Sequence, residues 1–366
     1  MWNLISKLNI ENYKCWVNQE VHFSPLTILA GGNAVGKSSI VQSLLLMKKA
    51  YDNVHNGEVL SSDVNGINLG FPKDIISREK TSEQISFRST LDNGNNNEIR
   101  LTIGNEIINP LSLVIENKED LLERKDNPFK KFQYLNAERI GPRIASDTSS
   151  NSILDVGNKG EYTNHIIHKA DLLKHKIHES MRSSRLARFS ANCESWLDII
   201  IPGTQLNVSL HEEVNKVTIK FRNTKTSSDA YIPTATGFGL TYVLPIIVSG
   251  LLFSTYKDSF LIIENPEAHL HPYGQSKIGQ FLAMLSSCGV QVIVETHSEH
   301  VINGARLQLT KMEETDKMIV NFFNIVDDKI DIEKIEINTY GELEKWPKGF
   351  FDQNKTDLRE LLGLRL

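Results

Sequence analysis

Residues 31–38 read Gly-Gly-Asn-Ala-Val-Gly-Lys-Ser, a full match to G-x-x-x-x-G-K-[ST]. An apolar run ends immediately before them and an apolar helical pattern over 37–53 begins at the lysine. Strand, glycine-rich loop and helix in that order are the context this motif requires. The glycines let backbone N–H groups wrap a phosphate without Cβ clashes, and the helix N-terminus adds the positive end of its dipole. In that frame Gly31, Asn33 and Gly36 shape the loop and Lys37 reaches the β- and γ-phosphates. The Ser38 hydroxyl ligates Mg²⁺, with Ser39 beside it. The expected ligands are therefore ATP and Mg²⁺.

A phosphate loop commits the chain to a parallel α/β core, and the remaining apolar runs are consistent with one. Strands are expected at 2–10, 18–30, 84–90, 98–104, 107–116, 132–137, 204–210, 215–222, 261–265 and 289–295. Helices are expected at 273–287 and 299–309, and a closing hairpin at 318–336. Residues 54–83 and 144–160 read as loops. Residues 163–200, rich in His, Lys and Arg, read as an inserted helical arm. The expected divisions are 1–160, an N-terminal lobe carrying the loop; 161–230, the arm and two strands; 231–336, a second lobe; and 337–366, a small C-terminal segment.

Residues 230–256 carry no charge and are long enough to span a bilayer. They also contain Pro233, Gly237, Gly239, Pro245 and Gly250 and lack flanking basic clusters, so they read as a buried core helix. Forty basic against 45 acidic residues give a net charge of −5, which argues against a basic nucleic-acid coat but leaves local phosphate contacts open. Cys15, Cys193 and Cys288 are too few and too scattered for a disulfide framework. With no signal-peptide pattern at 1–10, a cytoplasmic protein without membrane contact is expected.

A phosphate loop needs a second strand that delivers a carboxylate. FLIIENPE at 260–267 offers Glu264 at the end of an apolar run, where ligands bind in open α/β sheets. Glu264 would share the metal with Ser38. His297 follows the next apolar run, in ETHS at 295–298, and would surface beside the same crevice to contact the γ-phosphate. His269, His271, His297 and His300 could also be read as zinc ligands, but three or four convergent ligands would be needed.

Several segments together resemble a known family. LNIENYK at 8–14 and LTILAG at 26–31, followed by the loop with its Asn33, resemble the start of RecF, SMC and OLD-type ATPases. ENPEAHLHP at 264–272 and ETHSEHVINGARL at 295–307 resemble the acidic and switch-histidine regions of bacterial AAA-type ATPases related to OLD. WPKGFFDQ at 346–353 is similar to the C-terminal segment of one branch.

The resemblance implies an ABC-type head: a mostly parallel core, an antiparallel β lobe and the inserted helical arm. Such heads pair head to tail around two ATP molecules, each site completed by a partner signature motif. Thr236, Gly237 and Gly239 stand where that motif belongs, although the usual LSGGQ string is absent. Arg139 and Arg143, in NAERIGPR, would clamp phosphate, link the site to a partner, or form a surface ion pair. The usual catalytic glutamate after the acidic residue is replaced by Asn265, which can orient water but not take its proton. Glu267 would substitute if the turn aims it inward, and hydrolysis would be slow.

No long coiled coil and no room for a Toprim nuclease remain, so the resemblance implies an ATP-gated dimer or higher oligomer. It would control a separate effector, a nuclease or toxin, in anti-phage defence, with nucleic acid a possible partner. A non-hydrolysing nucleotide-binding scaffold and a P-loop small-molecule kinase are the alternatives.

Overall fold

Burial along three consecutive apolar runs alternates between two cores, and this sets the architecture. The computed structural model describes residues 3–55, 59–103, 112–123, 126–226, 229–235, 237–347, 349 and 353–362, with 353–356 described by backbone only. Strands Leu26–Gly31, Ser259–Glu264 and Val290–Glu295 form the middle of a six-stranded sheet. Its order is Lys131–Leu135, Ser259–Glu264, Val290–Glu295, Leu26–Gly31, Met318–Val326 and Lys329–Ile335. Neighbours are parallel except for the closing hairpin 318–335. Leu261 and Ile263 enter one core while Phe260 and Ile262 enter the other, as the two-residue period of a doubly covered strand demands.

The first core is closed by helices Phe238–Phe253, Pro272–Ser287 and Glu299–Met312. The second holds helix Lys37–Asn53 between the parallel sheet and an antiparallel sheet of order Trp16–His22, Ile5–Tyr13, Gln84–Leu91, Asn96–Ile103, Ser112–Ile115 and Val59–Ser61. The uncharged run at 230–256 therefore yields a core helix, with Pro245 inside it. Among the described residues no helix is long and apolar enough to cross a membrane.

Three expectations are refined. The run 18–30 breaks at Ser24 and Pro25 into separate strands on different sheets. Segment 54–83 carries three short strands and the helical turn Pro72–Ile75. The helical stretch 163–200 is two helices, Thr163–Leu172 and Phe189–Ile200, which lay Ile166, Ile167, Phe189, Trp196, Leu197 and Ile200 into the first core. A small sheet of Ser146–Asp147, Lys216–Asn223 and Thr204–His211 lies beside them. Residues 107–111 of the expected strand 107–116, and residues 348 and 350–352 of WPKGFFDQ, lie outside the described residues, while Ser112–Ile115 forms a strand.

Candidate phosphate-binding site

Strand Leu26–Gly31 ends in backbone that only glycine fits. Gly31 has φ +140°, and a Cβ there would sit 2.2 Å from the Phe323 carbonyl oxygen across the sheet. Gly36 has φ +90° and caps the helix, and a Cβ there would sit 2.5 Å from Trp16 Cζ2. The antiparallel lobe thus braces the loop from below through Trp16 and Cys15, whose thiol lies 3.9 Å from Ser39 Oγ. Asn33 stands exposed at the tip. Lys37 is buried, and its Nζ folds back to donate to the carbonyls of Gly31 (3.2 Å) and Gly32. Burial lowers its pKa, partly offset by Glu295.

Glu264 and Glu295 end neighbouring strands in exact register, placing two carboxylates side by side. Glu264 accepts a hydrogen bond from Tyr134 OH at 2.9 Å, and burial raises its pKa. Glu295 is 6 % exposed, and each of its carboxylate oxygens lies 3.2 Å from Ser38 Oγ, which donates. Burial first, and then the Glu264 charge, push Glu295 up to about 7, against the opposing pull of Lys37 and Ser38.

Glu267 is aimed inward, at the neighbouring strand end. Its Oε1 accepts from the backbone N–H of His297 at 2.8 Å and its Oε2 from Thr296 Oγ1 at 2.7 Å. His297 itself is exposed; partial burial and the Lys37 charge lower its pKa, and Glu267 opposes them. Asn265 takes the left-handed conformation, φ +45°, which asparagine tolerates better than most residues. Its N–H donates to the Glu295 carbonyl at 2.8 Å.

Arg139 departs from the phosphate-clamp expectation and is no surface ion pair either. It is 2 % exposed, and its guanidinium donates to the carbonyls of Asn136 (3.1 Å), Glu264 (2.8 Å) and Asn265 (2.5 Å). Its planar fork lies 5.5 Å from the Tyr242 ring centroid. Tyr242 in turn meets the His269 ring, which packs on Phe238. Arg143, by contrast, is exposed.

The two signature-segment glycines differ. Thr236 lies outside the described residues. At Gly239 a Cβ would come 2.7 Å from the His269 carbonyl oxygen, so this glycine permits a close internal approach. At Gly237, exposed at the N-cap of helix Phe238–Phe253, a Cβ would meet nothing within 4 Å. Both line a cavity of about 520 Å³ to which no phosphate-loop residue contributes.

The sequence reading missed Glu295 and Tyr134. A glutamate closing an apolar strand is the same signal that singled out Glu264, and it recurs at 290–295. Among the described residues no group of three or more His, Cys, Asp or Glu side chains forms a metal cage. His271 instead caps helix Pro272–Ser287, accepting from Tyr273 N. A cavity of about 980 Å³ is lined by Cys15 and Trp16, which brace the loop, and by Lys14, Glu79, Asp328 and Lys329 among others, with no residue of 31–39 in its wall.

Two solved structures share the fold. One is the SMC head bound to the C-winged helix domain of ScpA, with TM-score 0.54, 14 % identity, and 91 % of this chain and 98 % of that one covered. The other is the Pyrococcus furiosus Smc head domain with an extended coiled coil bound to the C-terminal domain of ScpA, with TM-score 0.54, 12 % identity, and 98 % and 99 % covered. The mixed α/β architecture, a parallel core with antiparallel sheets, is that of these ABC-type heads. No curated protein matches the chain. A profile for a family described as a protein of unknown function (DUF3696) matches residues 314–361. A second profile covers residues 26–303, and on that match the chain belongs to the family described as AAA domain, putative AbiEii toxin, Type IV TA system.

Proposed function

We propose that this protein is an ATPase that binds ATP with Mg²⁺ at residues 31–39, and that nucleotide-dependent pairing of two copies controls a separate effector. The observation that carries the reading is the convergence of Lys37, Ser38 and two carboxylates, buried Glu295 and half-buried Glu264, at the C-terminal ends of adjacent parallel strands. The donor set fits Mg²⁺, because a hydroxyl and carboxylates are hard oxygen ligands. Bound there, the ion would neutralise charge on the phosphates. Gly31, Asn33 and Gly36 shape the cradle, Ser39 adjoins it, and the 980 Å³ cavity has room for a nucleoside. His297 serves as the γ-phosphate contact, held in place by Glu267 through its backbone N–H.

In this reading Glu267 does its work by tying Thr296 and His297 to the acidic turn as well as through its charge. Glu267→Gln is expected to lower turnover by about 10²–10⁴-fold while sparing ATP affinity. Steady-state phosphate release beside calorimetric titration checks it; wild-type turnover would make Glu267 purely structural. A second reading, a nucleotide-binding scaffold that does not hydrolyse, is favoured by Asn265, which has no basic oxygen. Phosphate release by the wild type separates the two.

Pairing is proposed to bring residues 236–240 of one copy against the nucleotide of the other, with Gly237 at the contact. The fold likeness to SMC heads supports this, and those heads were solved with ScpA bound. Because Gly239 is filled from within by the His269 carbonyl, Gly237 is the cleaner place to test it. Gly237→Arg should leave the monomer folded and abolish ATP-dependent association. Light scattering with ATP and Mg²⁺ reads this directly, and an undiminished dimer would remove the segment from the interface. The four segments 1–160, 161–230, 231–336 and 337–366 are proposed as working units. A nuclease or toxin as effector, a role in anti-phage defence and kinship with OLD and RecF proteins rest on the resemblance of 8–38, 264–272 and 295–307. The family description, with its toxin and Type IV TA system, supports that direction.

A further inference from the structure

The structure gives the two strand-end carboxylates different partners. Glu264 is turned towards the sheet edge, where Tyr134 OH donates to it at 2.9 Å and the Ala137 N–H also bonds it. Glu295 is turned to the loop, with Ser38 Oγ equidistant, 3.2 Å, from both of its oxygens. Topology favours the same division. Strand Val290–Glu295 is hydrogen-bonded directly to the loop strand, with Glu295 opposite Leu29. Strand Ser259–Glu264 is one place farther out, roughly 4.8 Å more.

We propose that Glu295 is the carboxylate that holds Mg²⁺ together with Ser38, and that Glu264 acts on the ion through water. The inference rests on the nucleotide-binding reading above and changes which acid carries the metal. Two oxygens sharing one edge of an octahedron with bonds of about 2.1 Å lie roughly 3 Å apart. The Ser38 and Glu295 oxygens already stand 3.2 Å apart, so the ion can enter with little movement of either. Mg²⁺ keeps several waters and needs only one or two protein carboxylates, which suits one direct and one indirect acid. Lys37 adjoins Ser38 and offsets part of the negative charge at Glu295, so the loop, the acid and the ion form one electrostatic unit.

The test is ATP titration of the full chain by calorimetry, with Mg²⁺ and with EDTA, and Mn²⁺ titration by electron paramagnetic resonance. In Glu295→Gln the gain in ATP affinity conferred by Mg²⁺ should shrink by more than the roughly 10–100-fold typical of losing an outer-shell partner, and Mn²⁺ binding should weaken in parallel. Affinity in EDTA should hold or rise, because a negative charge near the phosphates is gone. Glu264→Gln should lose less, and Glu295→Asp should fall between Glu295→Gln and wild type. Glu295→Gln should melt no lower than wild type without ligand, since it removes a buried carboxylate that the neighbouring Glu264 disfavours; this separates metal loss from misfolding. A wild-type Mg²⁺ gain in Glu295→Gln, or a larger loss in Glu264→Gln, overturns the proposal and leaves the nucleotide reading standing. A wild-type protein that gains nothing from Mg²⁺ overturns both.

Discussion

ATP affinity is expected to collapse in Lys37→Ala. Truncating one partner of a buried charge-assisted contact costs about 2–5 kcal/mol, which corresponds to roughly 30- to 5000-fold in Kd. The ammonium already sits among the loop carbonyls, donating to Gly31 and Gly32, where the β- and γ-phosphates are proposed to lie. The loop itself does not depend on that side chain, because Gly31 and Gly36 hold it through backbone geometry and the braces from Phe323 and Trp16. Burial lowers the lysine pKa and Glu295 opposes it; the melting temperature without ligand, measured alongside, separates lost phosphate contact from lost folding. Calorimetry with ATP and Mg²⁺ is the check, and an unchanged Kd would end the assignment of residues 31–38.

An effect of comparable size, on stability, is expected at Arg139. Arg139→Ala withdraws donors from three carbonyls at once and opens a void under Tyr242. Hydrogen bonds made by a charged group are worth about 1.5–3 kcal/mol each, so losing three together removes a large fraction of the net stability. Hydrolysis should fall with it, because the guanidinium fixes the turn that carries Glu264 and Asn265. Lysine should not rescue the loss, since one ammonium cannot reproduce a planar fork that reaches two neighbouring carbonyls. Urea unfolding of the two variants measures the cost directly. A loss below about 1 kcal/mol would show that the turn holds itself.

Local signals were read well and non-local ones were not. Helix Lys37–Asn53 agrees with the expected run from Lys37 to about residue 53, because both its start, at a glycine cap, and its apolar face are written locally. The strands ending at Glu264 and Glu295 were both recognised, yet only the first acid was marked as a site. What distinguishes Glu295 is adjacency to the loop strand, which depends on sheet order rather than on neighbours in the chain. The short NAERIGPR string carries no sign of burial, so in sequence Arg139 looks like a cation facing phosphate, a partner or solvent; the structure aims it at backbone carbonyls instead. Gly239 looked equivalent to Gly237 in sequence, and only the His269 carbonyl, thirty residues on, separates them.

The helices within 161–230 look in sequence like an accessory that could be exchanged, as a cassette is. Their packing forbids it. Phe189, Trp196, Leu197 and Ile200 are each at most 5 % exposed in the first core. Burying such side chains is worth about 1.5–3 kcal/mol apiece, so the group together rivals the whole net stability of roughly 5–15 kcal/mol typical of a protein. Excision would leave helix Phe238–Phe253 bare along one flank, and transplantation would carry an apolar face with nothing to cover it. Variation in this part of the chain is therefore confined to its outward-facing positions and connecting loops, and any gain or loss of the segment as a whole must be matched by rebuilding the core against which it lies.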